Sequence, residues 1–260
     1  MTTVKANGID IYTRWDGPEG APVLLLSNSL GTRLEMWDDQ MDALTAHFRV
    51  LRYDSRGHGR SSAPDRDYTI DELGQDAVAL LDALEVDRVW YCGLSKGGMV
   101  GQWLGCNAAD RVEKLVLSNT AAHLGPRELW DDRVRISREQ GMEPVVDVIL
   151  ERWFTEAFRV SSPDRVEKVK AQVLATPGHG YGACSAAIRD MDQREAIKAI
   201  TTPTLVIAGA EDPATTPEAD KLIADSIAGA QLEVIPEAAH LANIEQTELY
   251  NKALVSFLTS

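Results

Sequence analysis

Short uninterrupted apolar runs alternate along the chain with stretches in which apolar residues recur at helical spacing. Val23–Ser27, Arg49–Tyr53, Val89–Gly93 and Leu115–Ser118 are runs of the first kind, and predict strands buried on both faces. Between them, Trp37, Met41 and Leu44, and then Ile70, Leu73, Ala77, Leu80, Leu81 and Leu84, each mark one face of a helix. Lys96–Asn107 predicts another. Ahead of these, Asn7-Gly8 separates two alternating segments, Thr3–Lys5 and Ile9–Trp15, as in a β-hairpin. The alternation resumes late in the chain with a strand at Thr204–Ala208, a helix at Pro217–Ile227, a strand at Leu232–Ile235 and a helix over 247–258. Strand–helix alternation predicts a mainly parallel sheet covered on both faces.

The stretch 122–199 breaks this pattern. Leu129, Trp130, Val134 and Ile136, then Val145, Val146, Ile149, Leu150, Trp153 and Phe154, follow helical spacing with no strand-like run among them. Several helices inserted into an α/β core are expected. They either extend that core or form a lid over a site, and their interruption of the alternation favours the lid.

Composition narrows the classes of partner. The formal charge of the 260 residues is -14, the opposite of what phosphate backbones or anionic lipid surfaces attract. An anionic small molecule would be repelled by the whole surface and would need a local cation. The three cysteines, Cys92, Cys106 and Cys184, are odd in number and lack metal-ligand spacing, which suggests reduced thiols and a cytoplasmic location. The first residues carry no charged head followed by an apolar stretch, so no signal peptide is expected, and no run is long enough to span a membrane.

Gly93-Leu94-Ser95-Lys96-Gly97 matches G-x-S-x-G. The pattern is weak alone, but here it follows a predicted strand and opens a predicted helix, the context a nucleophile elbow requires. Such a turn presents the hydroxyl at the C-terminal edge of the sheet, and the helix N-terminus favours negative charge developing nearby. A serine hydroxyl also needs a base. Of His47, His58, His123, His179 and His240, only His240 follows a plausible acid late in the chain, and it lies in a loop just after the last strand. The acid belongs in the loop after a late strand, where Glu211 and Asp212 are both available; Asp212 is preferred. One strand earlier the loop reads Ser118-Asn119-Thr120 and has no carboxylate. Two backbone N–H groups are needed for an oxyanion. Lys96, directly after the nucleophile, supplies one, and the loop after Val23–Ser27 supplies the other, assigned to Leu30.

Asp54-Ser55-Arg56-Gly57-His58-Gly59-Arg60-Ser61 resembles the D-x-R-G-x-G-x-S signature of α/β hydrolases. Many members carry His-Gly in the oxyanion loop, where this chain has Ser27-Asn28-Ser29-Leu30-Gly31-Thr32 and then Met36-Trp37. With those departures it resembles the 3-oxoadipate enol-lactonases. Phe48–Asp54, Tyr68-Thr69-Ile70, Cys92–Ser95, Gly101–Gly105, Ser118–Ala122 and Arg152-Trp153-Phe154-Thr155 carry the same likeness over nearly the whole length. The resemblance implies an eight-stranded, mostly parallel sheet with flanking helices, a core of residues 1–121 and 200–260, and a helical lid at 122–199.

It further implies a lactone substrate bearing a carboxymethyl group, acyl transfer through Ser95, His240 and Asp212 to water, and no need for a metal or organic cofactor. Arg133 is then the candidate partner for the substrate carboxylate, with Trp130 and Trp153 as apolar walls. One departure concerns specificity: the family usually carries methionine where this chain has Lys96. That side chain either adds positive charge beside the site or lies along the helix paired with an acid. A broader carboxylesterase or neutral-lactone hydrolase, and more remotely a non-catalytic ligand-binding protein of the same fold, are the competing readings.

Overall fold

The computed structural model describes all residues, Met1–Ser260. In chain order the strands are β1 Thr2–Ala6, β2 Ile9–Asp16, β3 Val23–Ser27, β4 Arg49–Tyr53, β5 Val89–Leu94, β6 Val112–Ser118, β7 Thr204–Gly209 and β8 Gln231–Ile235. They form one sheet in the order β1-β2-β4-β3-β5-β6-β7-β8. β1 pairs antiparallel with β2 and β2 with β4; every later pair is parallel. β5, which ends at the serine, therefore sits mid-sheet, where a ligand finds the open C-terminal edge.

The helices of the core are α1 Met41–Thr45, α2 Ile70–Ala83 and α3 Lys96–Asn107, and, after the long excursion, α9 Pro217–Ser226, α10 Ala242–Glu245 and α11 Thr247–Thr259. α2 starts where it does because Thr69 accepts the Glu72 N–H through its hydroxyl, an N-cap in the S/T-x-x-E pattern. Its buried face (Leu73, Ala77, Leu80, Leu81) is the one the periodicity predicts. Leu24, Leu25 and Leu26 of β3 are fully buried, each contributing about 2 kcal/mol through area removed from water.

Two elements depart from the pattern reading. Trp37 lies not on an α-helix but on a 3-10 turn, Leu34–Gln40, that leads into α1. Tertiary bonds draw this segment tight: Leu34 N–H donates to Asp54 Oδ1 (2.8 Å), the Trp37 indole to Asn28 Oδ1 (3.0 Å), and Asn243 Nδ2 to the Met36 carbonyl (3.0 Å). β6 begins at Val112 rather than Leu115, since pairing with Val89 carries the ladder through the polar Glu113 and Lys114.

Between β6 and β7 the chain forms five consecutive helices: α4 Arg127–Gln140, α5 Glu143–Trp153, α6 Glu156–Ser161, α7 Pro163–Leu174 and α8 Gly178–Asp190. No strand interrupts them. Their apolar faces, including Ile149, Trp153, Phe158, Val173 and Ile188, join the same hydrophobic cluster as the sheet. No helix is long and apolar enough to cross a membrane.

Candidate active site

The turn from β5 to α3 is as sharp as the sequence demands. Ser95 sits at φ 58°, a conformation side chains rarely adopt. A Cβ on Gly93 would lie 2.2 Å from the Gly97 carbonyl oxygen, and one on Gly97 would lie 2.2 Å from that of Ser27. Glycine is required at both places for the strand, turn and helix to close on each other. The serine is fixed from below: its N–H donates to Ser118 O (2.8 Å), and its carbonyl accepts from the Thr120 hydroxyl (2.8 Å). Thr120 N–H donates in turn to Asp220 Oδ1 (3.0 Å). Burial raises the Asp220 carboxyl well above its ordinary range.

His240 and Asp212 come from the loops after β8 and β7. His240 Nδ1 lies 2.8 Å from Asp212 Oδ2, both side chains buried. The carboxylate is fully occupied: Oδ1 accepts the N–H groups of Ala214 (2.7 Å) and Thr215 (3.0 Å). Oδ2 also accepts from the Thr215 hydroxyl (2.8 Å) and from Asn119 Nδ2 (3.1 Å). Burial pushes the Asp212 carboxyl up, but His240 and the Thr215 donors outweigh it and hold it below the ordinary value. Asp212 rather than Glu211 is the residue brought to His240. The imidazole carries its proton on Nδ1 to meet this carboxylate, which leaves Nε2 as the acceptor, the tautomer a general base needs.

Ser95 and His240 open on one cavity of about 690 Å³, a volume that includes the solvent-filled mouth. Leu30, Trp130, Arg133 and Trp153 line it as well. The Trp153 ring stacks on the His240 ring, centroids 6.1 Å apart. The Arg133 guanidinium lies over Trp130, 4.8 Å from the ring centroid. Of the candidates chosen from sequence, Leu30, Ser95, Trp130, Arg133, Trp153 and His240 line this space, and Asp212 meets it through His240.

Lys96 fits neither orientation expected for it. Its side chain is buried, turned away from the cavity, and donates to the Ser55 hydroxyl rather than to an acid. Burial pushes its ammonium below the ordinary lysine value. Its backbone N–H, at the first position of α3, is one of the donors a helix start leaves without an internal partner. His123 is also absent from the cavity wall; its ring meets the Met191 carbonyl instead.

Sequence reasoning gave no role to Arg152, Asn119 and Glu245. Arg152 lines the cavity with Arg133, and burial followed by repulsion from Arg133 pushes its guanidinium down. The residue stood in view within Arg152-Trp153-Phe154-Thr155, but nothing in that string says which way it points. Glu245 accepts from Thr155 N–H (3.0 Å) and the Thr155 hydroxyl through Oε1, and from Ala239 N–H (2.8 Å) through Oε2. It ties the α5–α6 junction to the loop of His240. No group of three or more His, Cys, Asp or Glu side chains is placed to hold a metal ion.

Residues 22–247 match the model of the α/β hydrolase fold family. The chain belongs to that family. Among its α/β hydrolase relatives, it is 39% identical to 3-oxoadipate enol-lactonase 2 of Acinetobacter baylyi over 97% of this chain and 94% of that one. An enol-lactonase from Burkholderia xenovorans LB400, known from its crystal structure, superposes with a TM-score of 0.98 at 41% identity, covering 100% of both chains. A hydrolase from Pseudomonas aeruginosa superposes at 0.96 with 46% identity, covering 100% of this chain and 98% of that one.

Proposed function

We propose that this α/β hydrolase opens the ring of 3-oxoadipate enol-lactone to give 3-oxoadipate, with Ser95 as nucleophile, His240 as base and Asp212 as its partner. The observation that carries the substrate class is a pair of uncompensated cations. Of the chain's eighteen arginines, only Arg133, Arg152 and Arg159 have no carboxylate within ion-pair distance. Arg159 lies outside the cavity and donates to the carbonyls of Glu151 and Phe154, while Arg152 donates to the Pro213 carbonyl (2.9 Å). Arg133 and Arg152 line the same cavity as the serine and the histidine. In a chain of charge -14, two guanidinium groups without a carboxylate partner beside a nucleophile favour an anionic substrate. The names of the similar enol-lactonases point the same way.

In this mechanism Ser95 Oγ attacks the lactone carbonyl carbon and gives its proton to His240 Nε2. The tetrahedral oxyanion accepts the N–H groups of Leu30 and Lys96. The acyl carbon–oxygen bond of the ring breaks, His240 returns the proton to the departing enol, and that enol rearranges to a ketone. Water then adds to the acyl-enzyme, losing a proton to His240, and the second intermediate expels Ser95 with its proton restored. Arg133 and Arg152 hold the substrate carboxylate, and Trp130 and Trp153 flank the ring. An enol leaves readily, so release of the acyl group or of product limits turnover.

The five helices fall within residues 122–199, which we read as a lid over a core of residues 1–121 and 200–260. Three free cysteines, two of them buried, agree with a cytoplasmic setting. A broader esterase or neutral-lactone hydrolase is the second reading, favoured by the apolar wall of Met99, Leu124, Leu129, Ile149 and Ile188. The deciding experiment follows the ultraviolet absorbance of 3-oxoadipate enol-lactone with wild type and Ser95→Ala. Turnover lost in the variant supports the proposal. Wild type that spares the lactone and cleaves p-nitrophenyl acetate favours the second reading.

A further inference from the structure

The loop that offers Leu30 is held by a group the catalytic cycle does not use. Of the amides in the turn Ser29–Thr32, Ser29 N–H donates to Met36 Sδ (3.3 Å) and Thr32 N–H to the Ser29 carbonyl (3.2 Å). Gly31 N–H donates to His58 Nε2 at 2.8 Å. Leu30 N–H is the one left without a partner. The two ring nitrogens of His58 face opposite demands. Nε2 meets an N–H and must accept; Nδ1 meets the Arg56 carbonyl (3.2 Å) and must donate. Only the neutral ring with its proton on Nδ1 satisfies both. An imidazolium would set N–H against N–H in a fully buried place.

We propose that His58 is a positioning residue for the oxyanion hole: as a neutral acceptor of Gly31 N–H it fixes the turn that presents Leu30 N–H. The inference rests on the reading of Ser95 as nucleophile and Leu30 as oxyanion donor, and holds for any ester that Ser95 attacks. The surroundings enforce the neutral form. The ring is buried against Cys184 Sγ of α8 (3.9 Å from Nδ1). Burial first, and then the ammonium of Lys96 on α3, push His58 well below its ordinary range. Of the nearby charges, the Arg56 guanidinium is bound to Asp76 and Glu72, and Asp54 is engaged by the N–H groups of Leu34 and Arg60. None of these three carboxylates is bonded to the ring. Lys96 thus serves the oxyanion hole twice, by its own N–H and by helping keep His58 an acceptor.

The turn is braced from the opposite side by the Thr176 hydroxyl, which donates to the Gly31 carbonyl (3.1 Å). With His58 replaced by an apolar residue, a buried N–H loses its acceptor, and the turn must rotate or open to satisfy it. A displaced donor weakens the transition state and leaves ground-state binding in the cavity largely intact.

The test compares His58→Leu, His58→Gln and Ser95→Ala in the full chain, with the enol-lactone, p-nitrophenyl acetate and a small alkylboronic acid that mimics the tetrahedral adduct. The expected result for His58→Leu is kcat lower by about 10- to 100-fold on the ester that is turned over. KM should stay within about threefold, and boronate affinity should fall by the same factor as kcat. His58→Gln, whose side-chain oxygen can reach the Nε2 position, should recover most of the loss. Unchanged kcat in His58→Leu, a loss confined to KM, or no rescue by glutamine overturns the inference. If His58→Leu does not fold, the glutamine variant still reports, as does 15N NMR of wild type: a protonated Nε2 on His58 overturns it. Ser95→Ala separates the two layers. Turnover that survives there removes the underlying serine-hydrolase reading; turnover lost there, with His58→Leu equal to wild type, removes only this inference.

Discussion

The two walls of the cavity are built on opposite principles. On the sheet side, both oxygens of Asp212 are saturated with donors, and the elbow is pinned through Thr120 to Asp220. On the helix side, Arg133 and Arg152 stand without a counter-ion, and Leu129 is 56% exposed. A saturated network moves little and costs nothing to reorganise during a reaction. Unpaired cations hold interaction in reserve for a ligand. On the function proposed above, chemistry falls to the sheet loops and selection to the helices between β6 and β7.

The largest effects should come from the sheet side and ignore substrate. Ser95→Ala should lower kcat by about a million-fold, and Asp212→Asn by about ten thousand-fold because the imidazole then takes the wrong tautomer. Steady-state kinetics on the lactone and on p-nitrophenyl acetate check both, and the losses should match across the two substrates. A loss limited to one of them would break the division of labour.

The helix side should behave in the opposite way. Arg133→Ala and Arg152→Ala should each cost about 30-fold in kcat/KM on the anionic lactone, equivalent to about 2 kcal/mol for a partly solvated charge contact. Neutral acetate esters should be hydrolysed at wild-type rates to within about threefold. Equal losses on charged and neutral substrates would show that these arginines hold the helices in place and do not read the substrate.

The sheet wall was far more legible in the sequence than the helix wall. Gly93, Ser95 and Gly97 can be read because the turn admits almost nothing else. Asp212 and His240 follow from their places after late strands. Trp130 and Arg133 share a helix face by spacing alone. What escaped depends on partners far apart in the chain. Asn119 meets Asp212 across 93 positions, and Glu245 meets Thr155 across 90, and no local pattern encodes such pairs. The Lys96 side chain escapes local pattern for a related reason. Helical spacing says where a lysine begins, not that the Ser55 hydroxyl waits in the interior for its end.

Glu245 tests how separate the two walls are. It bridges Thr155 on the helix side to the His240 loop, beside the Leu241 N–H to Trp153 carbonyl bond (3.1 Å) and the Trp153–His240 stack. Glu245→Ala strands the buried N–H groups of Thr155 and Ala239, and should destabilise the fold by about 2–3 kcal/mol, a fall in Tm of roughly 5–10 °C for a chain of this size. It should lower kcat on charged and neutral esters alike, by about tenfold, as His240 loosens. A thermal scan alongside the two assays reads both. Lower Tm with unchanged kcat would mean that the helices can shift without disturbing the base.

The smallest expected effect is a gain. Lys96 keeps an ammonium in a buried place with one hydroxyl as its hydrogen-bond partner. A buried charge without an ion-pair partner costs stability, and an apolar chain of similar volume often removes that cost. Lys96→Met should therefore stabilise the protein at neutral pH by about 1–2 kcal/mol. The pH dependence gives the sign. Because burial lowers the lysine in the folded state, the unfolded chain binds its proton more tightly. The penalty is present in full below the folded value and fades as pH rises toward the ordinary value near 10.5. Urea unfolding at pH 7 and near pH 10 should show the advantage of Lys96→Met shrinking at the higher pH. An advantage that grew with pH, or a variant less stable than wild type at pH 7, would mean that Lys96 contributes more to holding the sheet wall together than its charge costs it.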